Sequence, residues 1–376
     1  MTADIFEPID SVGAFLRVVK YFYPSGEVAF FRGQGNSQHH VSSSFYRLLC
    51  ENDYEARLDT YPYVLSNELF REFKKNIPTY EEIHSLKSYQ LNDLDLVMVA
   101  QHYGLQTRLI DWSKNPLVAL YFATERAHPE KDCCVYMLYN TESKNSVAIS
   151  SSDAFVKSVA DEQFRIQKLA EYFEVNLRVK DKTKLLNDIH KIINHHTSAG
   201  EFLQHPINIH PKLLAYHFLA VAHKHDEEHF GRVLTTLQDA LVNTGGTINS
   251  VVIHNQHNYI IEALPLNPRI KNQQGVFLFS NSPDEPAFRS ENFSDSTIIC
   301  SDSLRHLQSK DHTQGILRID IPGKLGVEIH RELNLYGVTK DFIYPELTSF
   351  TQVMRERVVT KLNREFNSGP EARLQE

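Results

Sequence analysis

The sequence predicts a compact α/β fold of the α+β kind: a mixed sheet core with flanking helices, interrupted by a helical insertion. Three observations predict it. Short apolar runs bounded by turn residues recur in both halves of the 376-residue chain, and helical stripes lie between them. Strand texture then vanishes between residue 151 and about residue 245, where amphipathic segments follow one another.

In chain order, Ser11 to Tyr23 carries a helical stripe (Phe15, Val18, Val19, Phe22) stopped by Pro24 and Gly26. Val28 to Phe31 reads as a buried strand that delivers Arg32 and Gly33 at its end. Leu65 to Phe73 and Leu94 to Tyr103 read as helices, with Gly104 placed to cap the second. Asn115-Pro116 pairs an N-cap with a proline at the first helical position, ahead of the stripe Leu117, Leu120, Tyr121 and Ala123. Cys133 to Tyr139 is apolar throughout and reads as a buried strand.

The amphipathic segments are Asp153 to Val175, Lys182 to His195, Pro211 to His223 and Phe230 to Val242. After Gly245-Gly246, strands are expected at Tyr259 to Ala263, Gly275 to Phe279 and Ile316 to Ile321. Helices are expected at Ser303 to Gln308, Lys324 to Tyr336 and Leu347 to Leu362. The organisation is therefore a core in two halves, 1–150 and 246–366, with an insertion at 151–245 and a frayed tail at 367–376.

Charge and cysteine usage exclude some classes of function. A formal charge of −8 and a pI near 6.2 argue against binding nucleic acid over the whole surface. Four cysteines at irregular spacing give neither a disulfide framework nor paired zinc knuckles. The acidic start of the chain has no leader character, and no apolar stretch reaches the roughly 20 residues of a membrane span. A cytoplasmic protein with no membrane partner is expected.

Two constellations point to chemistry. Phe30-Phe31-Arg32-Gly33-Gln34-Gly35 puts an arginine at a strand end beside glycines, which suits recognition of phosphate or carboxylate. The alternative is a structural ion pair beside a turn. Gln101 to Trp112 crowds Gln101, His102, Thr107, Arg108, Asp111 and the chain's single tryptophan into a connection between two helices. Mutual pairing of Arg108 and Asp111, with Trp112 over the core, is the alternative there. His225 and His229 stand at helical i, i+4 spacing, but Asp226 occupies the place where a zinc-protease helix needs glutamate. No metal site is expected.

Phe31-Arg32-Gly33-Gln34 resembles the motif that names the FRG domain. The run from Ala100 to Ala123, which includes Gln101-His102-Tyr103-Gly104 and Arg108-Leu109-Ile110-Asp111-Trp112, is similar to the longest signature of that family. Asn267-Pro268-Arg269-Ile270, Gln273-Gln274-Gly275 and Tyr344-Pro345-Glu346-Leu347 lie in stretches that are also similar. The likeness spans roughly 10–140 and 250–360; Gln106, Ser113 and Glu346 are mild departures.

The resemblance implies a bacterial or phage-related protein, which leads to an expected effector of a defence or toxin system. A weaker likeness to ADP-ribosyltransferases, resting on the order of Arg32-Gly33 and a late Glu346, implies Arg32 and Glu346 as catalytic residues. The ligand contacts expected for the effector are Arg32, Gly33, Gln34, Gln101, His102, Thr107, Arg108, Asp111, Trp112, Arg269 and Gln274. The ligand would be a nucleotide, with NAD as a substrate rather than a tightly bound cofactor. The alternative function is a non-catalytic module that binds nucleic acid or a phage component through Arg32, Arg108 and Arg269. A further alternative is a purely structural domain whose motif residues lock one another together.

Overall fold

In the computed structural model, residues 9–22, 29–52, 61–80, 90–139, 147–157, 188, 258–265, 267–280, 283–293 and 315–367 are described. The insertion expected at 151–245 lies almost wholly outside the described residues. So do the expected helix Ser303 to Gln308 and the histidines His225 and His229.

The described residues build one seven-stranded sheet. Its strands are β1 (Ala29–Gln34), β2 (Leu109–Ser113), β3 (Cys133–Tyr139), β4 (Val147–Ser151), β5 (Asn258–Glu262), β6 (Gly275–Phe279) and β7 (Gly315–Ile321). The order across the sheet is β4-β5-β6-β2-β1-β3-β7. Only the β4–β5 pair is parallel, so the sheet is mixed, as the sequence predicts. Strands from both halves of the chain interleave, with β2 hydrogen-bonded to β6 and β3 to β7.

The helices are α1 (Val12–Phe22), α2 (Ser44–Glu51), α3 (Tyr61–Asn76), α4 (Asp93–His102), α5 (Pro116–Thr124), α6 (Pro268–Gln273), α7 (Gly323–Leu335), α8 (Lys340–Ile343) and α9 (Leu347–Asn367). Their ends follow local chemistry. Asn115 accepts from the Leu117 amide and Pro116 opens α5, as the sequence implies. Asn92 and Asp95 form a reciprocal capping box on α4, and Gly104 just beyond it takes φ +93°.

Both faces of the sheet are covered. On one face Phe31, Val135, Met137, Leu317 and Ile319 pack with Phe15 and Val19 of α1, Leu120 of α5 and Ile329 of α7. On the other, Phe30, Ile110, Trp112, Tyr136 and Leu278 pack with Val41 and Phe288, which meet in an isolated β-bridge. β3 is buried along its whole length, so its sequence is apolar at every position rather than alternating. Burial also keeps the thiols of Cys133 and Cys134 protonated, the first pushed up to about 12.

Candidate functional site

The segment read as a polar connection between two helices contains a strand. Leu109–Ser113 is β2, in the middle of the sheet. It pairs along its whole length with β6, but with β1 only where Phe31 faces Ser113. Beyond that point the Arg32 side chain replaces the missing ladder. Its Nη1 donates to the Asp111 carbonyl at 2.6 Å.

A second set of bonds fixes the Asp111 carboxylate. The Thr107 hydroxyl donates to Gln101 Oε1, which leaves the Gln101 amide nitrogen to face Asp111. That nitrogen donates to Asp111 Oδ1 at 2.8 Å. Thr107 is itself held by α2: its amide donates to Ser44 Oγ at 3.0 Å, and its carbonyl accepts from the Phe45 amide at 3.1 Å. Thr107, Gln101 and Asp111 thus form one oriented chain from a helix N-terminus to the strand.

Arg32 and Asp111 line one cavity of 220 Å³, together with Gln101, Ser42, Ser44 and Arg47. Sequence reasoning missed the last three. Their signal was the run Ser42-Ser43-Ser44 ahead of an amphipathic segment, in which Ser43 caps α2 by accepting from the Tyr46 amide. Arg47, one turn on, is exposed and donates to the Ser42 carbonyl at 2.9 Å. Burial lowers the Arg32 pKa, Asp111 opposes the shift, and the positive charge of Arg47 adds to it. Arg32 Nε is buried with no hydrogen-bond partner among the described residues.

The other expected contacts lie elsewhere. Gly33 does not open the backbone to a ligand: a Cβ there would stand 1.8 Å from the Ala119 carbonyl oxygen of α5. Gln34 holds the following turn through the His39 carbonyl at 2.8 Å. Arg108 is 0% exposed, donates to the Ser280 carbonyl at 2.6 Å and lies 4.6 Å over the Phe279 ring. It is therefore placed in the core, outside the lining of the Arg32–Asp111 cavity. Trp112 is buried edge-on to Phe288 and belongs to the core as well.

His102, Arg269 and Glu346 form a separate group outside the cavity lining. Burial lowers the His102 pKa, Arg269 acts in the same direction and Glu346 against it. Arg269 lies 4.9 Å over the Tyr344 ring. Gln274 is the left-handed residue that ends α6, and its carbonyl accepts from the Lys114 amide at 3.0 Å. Glu346 is exposed, and its carbonyl starts α9 by accepting from Ser349 and Phe350. The expected partnership of Arg32 with Glu346 is thus not assembled in this cavity; the carboxylate beside Arg32 is that of Asp111.

Among the described residues no cluster of three or more His, Cys, Asp or Glu is placed to hold a metal ion. Nor is any described helix long and apolar enough to cross a membrane.

The family model of the FRG domain matches residues 27–132. Comparison with curated proteins and with solved structures yields no match. The family match ends where β3 begins, so the sheet it starts is completed by strands outside it. Residues 27–132 thus match the FRG domain, and every residue that lines the Arg32–Asp111 cavity falls inside that stretch.

Proposed function

We propose that the protein is an effector of a bacterial defence or toxin system that binds an anionic, nucleotide-like ligand in the Arg32–Asp111 cavity. The observation that carries this reading is the state of Arg32. Its guanidinium sits in a cavity, bonded to a neutral carbonyl rather than to a carboxylate, with Nε unpartnered among the described residues. A half-buried cation left in that state is suited to an oxyanion, since charge-assisted bonds to arginine are the strong ones. The second arginine, Arg47, lines the same space.

ADP-ribose transfer from NAD would be the catalytic form of this reading. It calls for a carboxylate beside the reacting ribose, and Asp111, not Glu346, is in that position relative to Arg32. The competing module for nucleic acid loses one of its three phosphate contacts, because Arg108 is wholly buried.

The test is Arg32→Lys, which keeps the charge and loses the planar fork. Nucleotide affinity should fall by roughly one to two decades, while the melting midpoint stays near that of the wild type. Titration calorimetry beside a melting curve on the same variant separates the two effects. A variant that melts like wild type and binds equally well removes Arg32 from the site.

A further inference from the structure

Resting on that reading, we infer that the cavity takes a single phosphorylated sugar unit, gripped by Arg32 and Arg47 together and selected by Asp111, and that it encloses no more of a dinucleotide than that unit. Three observations lead there.

The first is size. At 220 Å³ the cavity lies below the range of about 300–1,000 Å³ usual for sites that enclose a drug-sized ligand. A phosphate with a small body fills that space, so the rest of two linked nucleotides would lie outside it.

The second is the disposition of the guanidinium groups. Arg32 comes from β1 and Arg47 from α2, so they approach from different elements. Each has Nη1 committed to a main-chain carbonyl, Asp111 for one and Ser42 for the other. Neither has an ion-pair partner among the described residues. Arg32 Nε is buried and has no hydrogen-bond partner among the described residues. Donors arriving from two sides suit a tetrahedral oxyanion with several terminal oxygens better than a planar carboxylate, which a single fork can satisfy.

The third is Asp111. Oδ1 accepts from Gln101, and Oδ2 has no partner among the described residues. A carboxylate this close to a bound phosphate repels it unless a hydrogen-bond donor on the ligand stands between them. A sugar hydroxyl next to the phosphoryl group supplies that donor. A carboxylate oxygen can only accept, which holds the Gln101 amide nitrogen towards Asp111 and leaves Oε1 for the Thr107 hydroxyl. The acceptor character of the Asp111 side is therefore built in.

The same chemistry is offered by a free nucleoside monophosphate and by the phosphorylated end of a nucleic-acid strand. Calorimetry on the full chain, with ribose, inorganic phosphate, ribose 5-phosphate, AMP and NAD as probes, tests the inference. A short single strand with and without a 5′-phosphate completes the set. Ribose 5-phosphate and AMP should bind, ribose should not, and NAD should bind at least about tenfold more weakly than AMP.

Arg47→Gln, at an exposed position that leaves the core untouched, should weaken AMP by roughly ten- to a hundredfold. Asp111→Asn should erase the preference for ribose 5-phosphate over inorganic phosphate. Preference for the phosphorylated strand over its twin supports the inference with a strand end as the source; AMP binding with neither strand bound supports a free nucleotide. Equal binding of both strands overturns it.

NAD binding as tightly as AMP, with both lost on Arg32→Lys, overturns the inference and leaves the anion site standing. Failure of every phosphorylated probe to bind, with Arg32→Lys without effect, overturns both.

Discussion

Gly33→Ala is expected to lower the stability of the protein by about 3 kcal/mol or more. The added Cβ would lie 1.8 Å from the Ala119 carbonyl oxygen and 2.5 Å from the Ala123 amide nitrogen. Both are backbone atoms of α5, so no flexible side chain can move aside. Relief requires α5 to lift from β1, and those two elements carry Phe31, Ala119 and Ala123 of the core on one face of the sheet. Overpacking commonly costs about 1–3 kcal/mol where side chains can adjust. Here the clash is between main chains, so the upper end of that range or more is expected, against a total of about 5–15 kcal/mol. The check is a melting curve: a midpoint lowered by roughly 6 °C or more, or failure to accumulate folded protein. Gly33→Ala melting with the wild type would contradict the close approach of β1 and α5.

Arg108→Ala should be the second most damaging change, by about 3–5 kcal/mol. It leaves the Ser280 carbonyl without the guanidinium donor, strips the cation from the Phe279 ring, and opens space at a position that is 0% exposed. Arg108→Met fills much of that volume and removes a desolvated charge, so it should cost less, about 1–3 kcal/mol. Ligand binding should be unchanged in whatever fraction stays folded. Wild-type melting with lost binding would return Arg108 to the site.

The contrast between Arg32 and Arg108 shows where the sequence stopped being informative. Both lie next to apolar residues and both were assigned to ligand. What separates them is the partner across the fold: a core carbonyl and a ring for Arg108, a cavity for Arg32. No local pattern encodes that difference.

Elements with unambiguous local chemistry were legible. The buried run of β3, the Asn115-Pro116 start of α5, the α1 stripe and the positive φ at Gly104 all follow from period or capping. β2 was missed because five residues, with Leu109 and Ile110 both buried and covered on opposite faces, show no alternation. Arg47 was missed because its role depends on α2 docking against Thr107, a contact across about 60 residues of sequence. Glu346 was chosen for its order in the chain, and order says nothing of which sheet end an acid reaches.

The central claim is that the Arg32–Asp111 cavity is an oxyanion site, and a crystal structure of the full chain with AMP tests it most directly. The account predicts a phosphoryl group against the Arg32 guanidinium, with Arg47 on its far side and a ribose hydroxyl at Asp111. An AMP phosphate seated elsewhere, with Arg32 Nε bonded to a protein acceptor, would contradict it.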